Sequence, residues 1–158
     1  MNKNIILTLI LITSLLWGCK NAPVSTTGNT QTDNQIILFH NSPGPDFRND
    51  HVLIDSARIS GDTLILVVSY SGGCREHEFK LFGSYSIIKT NPPQAEIYLS
   101  HNSNADMCEA WITENVKFDL SPLKNYYLQT FDNTGPLLLR IYEPGTNRVY
   151  EPLVRYDF

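Results

Sequence analysis

Two thiols and two imidazoles stand at spacings that could do chemistry. Cys74 and His77 lie three residues apart, and His101 and Cys108 follow further along the chain. With both thiols ionised, the four side chains would suit a tetrahedral zinc or a soft copper ion. Oxidised, Cys74 and Cys108 would form a disulfide. Closing a loop of about 35 residues stabilises a fold by roughly 3–4 kcal/mol in the chain-entropy model. As a free thiolate, Cys74 would be a nucleophile with His77 or His101 as its base. Metal and disulfide exclude each other, because a metal needs both sulfurs reduced. Positions three apart on a strand point to opposite faces, which disfavours a direct Cys74–His77 pair. The disulfide is the leading reading, with no catalytic residue and no cofactor. Zinc or copper on Cys74, His77, His101 and Cys108 is the alternative.

These residues meet only if the chain between them folds back. The midpoint of positions 74 and 108 is Asn91, inside Thr90-Asn91-Pro92-Pro93-Gln94. Two prolines forbid ladder hydrogen bonds there and mark a turn. The same fold-back brings His77 near His101. Alternation places His77 in phase with Phe79 and Leu81, His101 with Ile97 and Leu99, and Cys108 with Ala110 and Ile112. All three then face the core or its end. Gly72-Gly73 permits a tight backbone just before Cys74. Residues 102–107 are expected to bulge as a loop.

The rest of the chain supplies the frame. From Ile36 onward the apolar period is two. Expected strands are 36–39, 52–59, 63–71, 79–88, 95–101, 111–120, 137–142 and 148–156. Ser60-Gly61-Asp62 reads as a hairpin turn, and Pro144-Gly145-Thr146-Asn147 as a second. Apolar residues on both faces of 63–71 predict a central strand. Ser121-Pro122-Leu123-Lys124 reads as one helical turn with Ser as cap and Pro at the first position. The expected fold is an all-β, antiparallel β-sandwich of about eight strands, with a small closed β-barrel as the alternative.

The chain has 158 residues and a formal net charge of -4. That is one domain's worth of polypeptide, and it carries no electrostatic footprint for nucleic acid. There is no phosphate loop, dinucleotide fingerprint, nucleophile elbow or His-Glu-x-x-His. Tyr70, Tyr85, Tyr98, Trp111, Tyr126 and Tyr127 could line a glycan-binding face, although core packing explains most such residues. Glu76 with Glu78 reads as a solvated strand face. His40 and His51 flank a loop rich in Pro and Gly.

The N-terminus is an address. Lys3 precedes an apolar run over 5–17, too short to cross a bilayer and of the right length for a signal peptide. The run ends in Leu16-Trp17-Gly18-Cys19, which resembles a bacterial lipobox. The resemblance implies cleavage that removes residues 1–18, and lipidation of Cys19. Residues 20–35 are polar and rich in Asn and Thr, and read as a flexible tether of about 20 Å r.m.s. span. Residues 36–158 form the single folded domain. The resemblance also implies a cell-envelope location at a membrane, expected to be the outer membrane facing the periplasm.

Gly72-Gly73-Cys74-x-x-His77-x-Phe79 resembles a signature found in small exported bacterial β proteins, many of them lipoproteins of unassigned activity. Phe118-Asp119-Leu120-Ser121-Pro122-Leu123 fits the same pattern. The resemblance spans 52–124 and implies a fold and a compartment, not a reaction. The expected function is a non-enzymatic binding or structural module, anchored through Cys19, with an envelope protein or glycan as partner. A zinc- or copper-handling lipoprotein is the alternative.

Overall fold

Among the described residues, eight strands form two facing sheets, with one helix beside them. The computed structural model describes residues 34–131, 135–146 and 148–158. The signal peptide, Cys19 and the tether as far as residue 33 lie outside the described residues. The strands are β1 (Ile37–Phe39), β2 (Leu53–Ser60), β3 (Thr63–Gly72), β4 (Glu78–Ile88), β5 (Gln94–Asn102), β6 (Ala110–Asp119), β7 (Leu137–Tyr142) and β8 (Val154–Tyr156). A helix, α1 (Ser121–Phe131), joins β6 to β7. One sheet has the order β1-β4-β5-β7-β8, and the other β2-β3-β6.

This is the expected β-sandwich, not a closed barrel, with one difference. β1 pairs with β4, and β5 with β7, in parallel. Parallel neighbours need a long crossover. Between β5 and β7 the chain visits the other sheet as β6 and returns through α1. Local periodicity carries no trace of such a pairing.

β3 is central in its sheet and fills the core. Leu64, Leu66 and Val68 are fully buried and Tyr70 nearly so. They meet Leu81, Ile97, Leu99, Leu139 and Ile141 of the five-stranded sheet, all inaccessible to solvent. Each such aliphatic side chain contributes roughly 1.5–3 kcal/mol by leaving water.

The helix is longer than the single turn expected at 121–124. Asn125, Tyr126, Tyr127 and Thr130 are poor helix formers. Burial of Leu123 and Tyr127, four apart on one face, overrides that propensity. The cap also differs. Asp119 Oδ1 accepts from the Ser121 N–H at 2.9 Å and from its hydroxyl at 2.6 Å, so Asp119 is the cap and Ser121 its donor. Lys124 reaches Asp62 in the β2–β3 turn at 3.1 Å, and Tyr156 Oη donates to the same carboxylate at 2.8 Å. The final hairpin is shorter than expected, because β8 begins only at Val154, beyond Pro152.

The tether ends earlier than position 35. Gln35 bridges in parallel to Asp119, and its side-chain amide donates to that residue's carboxylate at 3.0 Å.

Candidate functional site

At one end of the sandwich the chain builds an anion cradle and fills it with its own carboxylate. β3 ends at Gly72, and Gly73 takes a positive φ of 116°. That turn aims three successive N–H groups the same way. Gly73, Cys74 and Arg75 donate to Asp106 Oδ2 at 2.9, 2.9 and 3.0 Å. Cys108 N–H donates to Asp106 Oδ1 at 2.9 Å. The donor from Cys108 and those from the cradle hold the Asp106 carboxyl far below the usual carboxylate range. Left-handed backbone at Asn104 and Ala105 turns the loop so that Asp106 points inward. Arg75 donates to Asn104 O at 2.6 Å, and a Cys74–Cys108 disulfide joins the two segments with Cα atoms 5.8 Å apart.

Behind the cradle a line of polar groups runs inward. His77 Nε2 lies 3.3 Å from Asp106 Oδ2, and His77 Nδ1 lies 2.8 Å from His101 Nε2. His101 Nδ1 lies 3.2 Å from the carbonyl of Asp50. The segment carrying Asp50 runs beside β5, where His101 N–H donates to Arg48 O and Asp50 N–H to His101 O. Aromatic rings sheathe the pair. Tyr70 stacks on His77 at 4.4 Å and Phe79 on His101 at 4.7 Å. Tyr70 Oη donates to Glu114 at 2.8 Å; burial, reinforced by that bond, pushes its phenol up to about 12. Gly72 is required here, because a Cβ at that position would sit 2.7 Å from His77 Nε2.

Burial drives the His101 pKa down, aided by the neighbouring His77 and opposed by the Asp50 carbonyl. A base with a depressed folded pKa stabilises the fold above its unfolded value, near 6.5, and loses that contribution as pH falls. The thermal midpoint should therefore decline as pH drops from about 6.5 towards 5. His101→Asn should flatten that limb. A midpoint independent of pH over this window in the parent chain would show that the burial of His101 carries no such pH dependence.

The chemistry this arrangement permits is limited by access. The side chains of His77 and Asp106 are 1% and 0% exposed, and His101 is 1% exposed. Every polar group on the line already has a partner inside the protein.

The fold itself has close counterparts. The sandwich is similar to that of a NigD-like immunity protein from Bacteroides caccae. That likeness has a TM-score of 0.56 at 14% identity, and covers 78% of this chain and 64% of the other. A candidate toxin-related protein from Parabacteroides distasonis aligns with a TM-score of 0.54 at 20% identity, over 78% and 60% of the two chains. A candidate lipoprotein from Bacteroides fragilis aligns with a TM-score of 0.53 at 14% identity, over 79% and 71%. The chain thus spans less than two thirds of the first two. No family model matches the sequence, and no curated protein does. At these identities what is shared is the fold.

Within this fold the residues singled out by spacing come together, but not as one ligand set. Cys74 and Cys108 are bonded to each other, which leaves no thiolate for zinc or copper and none for nucleophilic attack. His77 and His101 turn towards one another instead. The four do not form the tetrahedral set of the alternative reading. The six aromatics do not share a face either. Tyr70 and Tyr127 are buried, Tyr85 of β4 packs against Tyr126 of α1, Tyr98 stacks on Tyr142, and Trp111 is exposed. His40 stacks on Tyr85 in the open. Glu76 and Glu78 are exposed, as expected.

Asp106 is the residue that spacing overlooked. Its signal was present in the register. Phe79 faces His101 and Leu81 faces Leu99, and the same sum of positions carries Cys74 to Asp106.

Proposed function

We propose that the chain is a lipid-anchored envelope protein acting as a non-enzymatic binding module. Cys19 carries the lipid, including palmitate, and the body stands on its tether at the outer membrane, facing the periplasm. One observation carries the non-enzymatic part: the only cluster with catalytic residue types among those singled out is sealed from solvent and satisfied internally. A residue poised for turnover needs access and an unfilled valence. Here the cradle is occupied by Asp106 and the thiols are spent in a cross-link, as befits a structural corner. The description immunity protein, carried by one chain of the same fold, is in keeping with action through binding.

The test uses the full chain in bacterial cells fed labelled palmitate. The parent should incorporate label and sediment with membranes, and Cys19→Ser should lose both. An unlabelled, soluble parent would remove the anchor. In the same preparation, denatured without reductant, Cys74 and Cys108 should titrate no thiol and the protein should hold no zinc or copper. Two free thiols with stoichiometric metal would replace this reading with the metal-handling one.

A further inference from the structure

The four sheet edges are not equally protected. β1 and β8, the edges of the five-stranded sheet, are three residues long. β2 is bulged between Ile54 and Ser56. Two of its N–H groups are taken from outside its sheet, Ile54 by Glu143 Oε1 and Ala57 by Tyr150 Oη, both at 3.2 Å. Short length, bulges and side-chain cover are the devices that keep an edge from pairing with another chain. β6 has none of them. It runs ten residues without proline, in unbroken register with β3.

Among the described residues, only the last residue of β6 is engaged on its outer side. Asp119 N–H donates to Asn34 O, and Asp119 O accepts from Ile36 N–H, both at 3.0 Å. The two-residue repeat then fixes which other residues aim their backbone outward: Trp111, Thr113, Asn115 and Lys117. Among the described residues, none of these has a backbone partner on that side. Beside the edge lies a cleft of about 280 Å³, lined by Asn34, Phe79, Asn115, Val116, Lys117 and Phe118. It sits where a fourth strand of the smaller sheet would face β4. Near the far end Trp111 is 64% exposed and Met107 89% exposed. Trp and Met are side-chain types enriched at protein interfaces.

We propose that β6 is a docking edge for an extended segment of a partner protein, which adds as a fourth strand to the three-stranded sheet. Its backbone takes up the outward groups of Trp111 to Lys117. Its alternate side chains are aliphatic and enter the cleft beside Phe79 and Val116. This deepens the reading of the chain as a binding module and rests on it. The chain's own preceding residues are a poor occupant. Between positions 24 and 33 they carry a single aliphatic side chain, Val24, to set against the Phe79, Val116 and Phe118 side of the cleft.

The test titrates the full-length protein in detergent with a soluble peptide of alternating Val and Thr, and follows backbone amide exchange by NMR. Exchange at Trp111, Thr113, Asn115 and Lys117 should slow by roughly tenfold or more on binding. A peptide with Asp in place of Val should have no effect. Asn115→Pro removes an outward N–H that β3 does not use, and should weaken binding about tenfold with the thermal midpoint unchanged. Unchanged exchange in the parent at saturating peptide would overturn the proposal, whatever the variant does. So would amides protected without peptide, whether scrambling residues 24–33 exposes them (the chain's own segment holds the edge) or dilution does (a second copy holds it). The palmitate experiment is independent. A lipidated chain with indifferent amides keeps the anchor and loses the edge, and an unlipidated chain that binds the peptide does the reverse.

Discussion

Replacing Asp106 with Ala is expected to lower the thermal midpoint more than removal of any other carboxylate in the described chain. The backbone N–H groups of Gly73, Cys74, Arg75 and Cys108 would lose their acceptor together, and His77 its carboxylate neighbour. An N–H left without its acceptor gives up the bond, and carries the fuller desolvation cost only where water cannot reach it. Four donors converge on this one carboxylate, three from the turn after β3 and the fourth from Cys108. Asp106→Asn keeps one oxygen but sets an amide against the cradle, and should fall between the parent and Ala. Asp157 is a fair control. It pairs with Arg155 at 2.9 Å on the surface, with both side chains more than half exposed, so Asp157→Ala should change stability by roughly 0–1 kcal/mol. Acid should act on the same point. The depressed carboxyl of Asp106 stabilises the fold above its unfolded value, near 3.8, and that contribution disappears as pH falls. Urea or thermal unfolding of the three variants against the parent decides the matter. An Ala variant as stable as the parent would mean that the cradle contributes nothing to the fold.

Reduction of the disulfide should have an effect of comparable size by a different route. Cys74 and Cys108 are 34 residues apart, so the bond mainly restricts the unfolded chain. The loop-entropy relation gives roughly 3–4 kcal/mol, on the order of 10 °C in thermal midpoint for a chain of this length. Cys74 is exposed, so a thiol reductant should reach the bond in the folded state. The midpoint of the parent should therefore drop in reductant, while that of a Cys74→Ala/Cys108→Ala variant should already be low and unresponsive. Equal midpoints with and without reductant would contradict this.

What the sequence revealed of this corner was its register. The prolines at 92 and 93 fixed a turn; equal distances from Asn91 brought Cys74 to Cys108, and the same fold-back brought His77 near His101. The count was imperfect at one place. Between Gly83 and Ile87 the pairing of β4 with β5 shifts, which moves the centre of symmetry from 91 near the turn to 90 beyond it. That small slip hides Asp106 from a fold-back drawn through Asn91. Its type hides it further, because an aspartate in a polar loop reads as solvated. Only the three-dimensional turn at Gly73 turns neighbouring N–H groups into a site for it.

Elsewhere the same division holds. Alternation at Leu64, Leu66, Val68 and Tyr70 marked the central strand and its buried face. The hairpin at Gly61 was a local signal, legible without knowledge of the fold. The parallel partners of β1 and β5 were not, since nothing in a strand's own residues names a neighbour brought by a crossover. Nor was the full length of α1, where tertiary burial of Leu123 and Tyr127 outweighs the residues around them.

The attachment point of Asn34 gives the molecule a direction. It sits against Asp119 at one extremity of β6, whereas Ala110, beside the cross-linked corner, is at the other. Ten strand residues at about 3.4 Å each separate these poles by roughly 30 Å. The described chain therefore enters the body at the pole farthest from the sulfur bridge, Met107 and Trp111, and any macromolecule attached through the residues before Asn34 would leave that opposite pole clear.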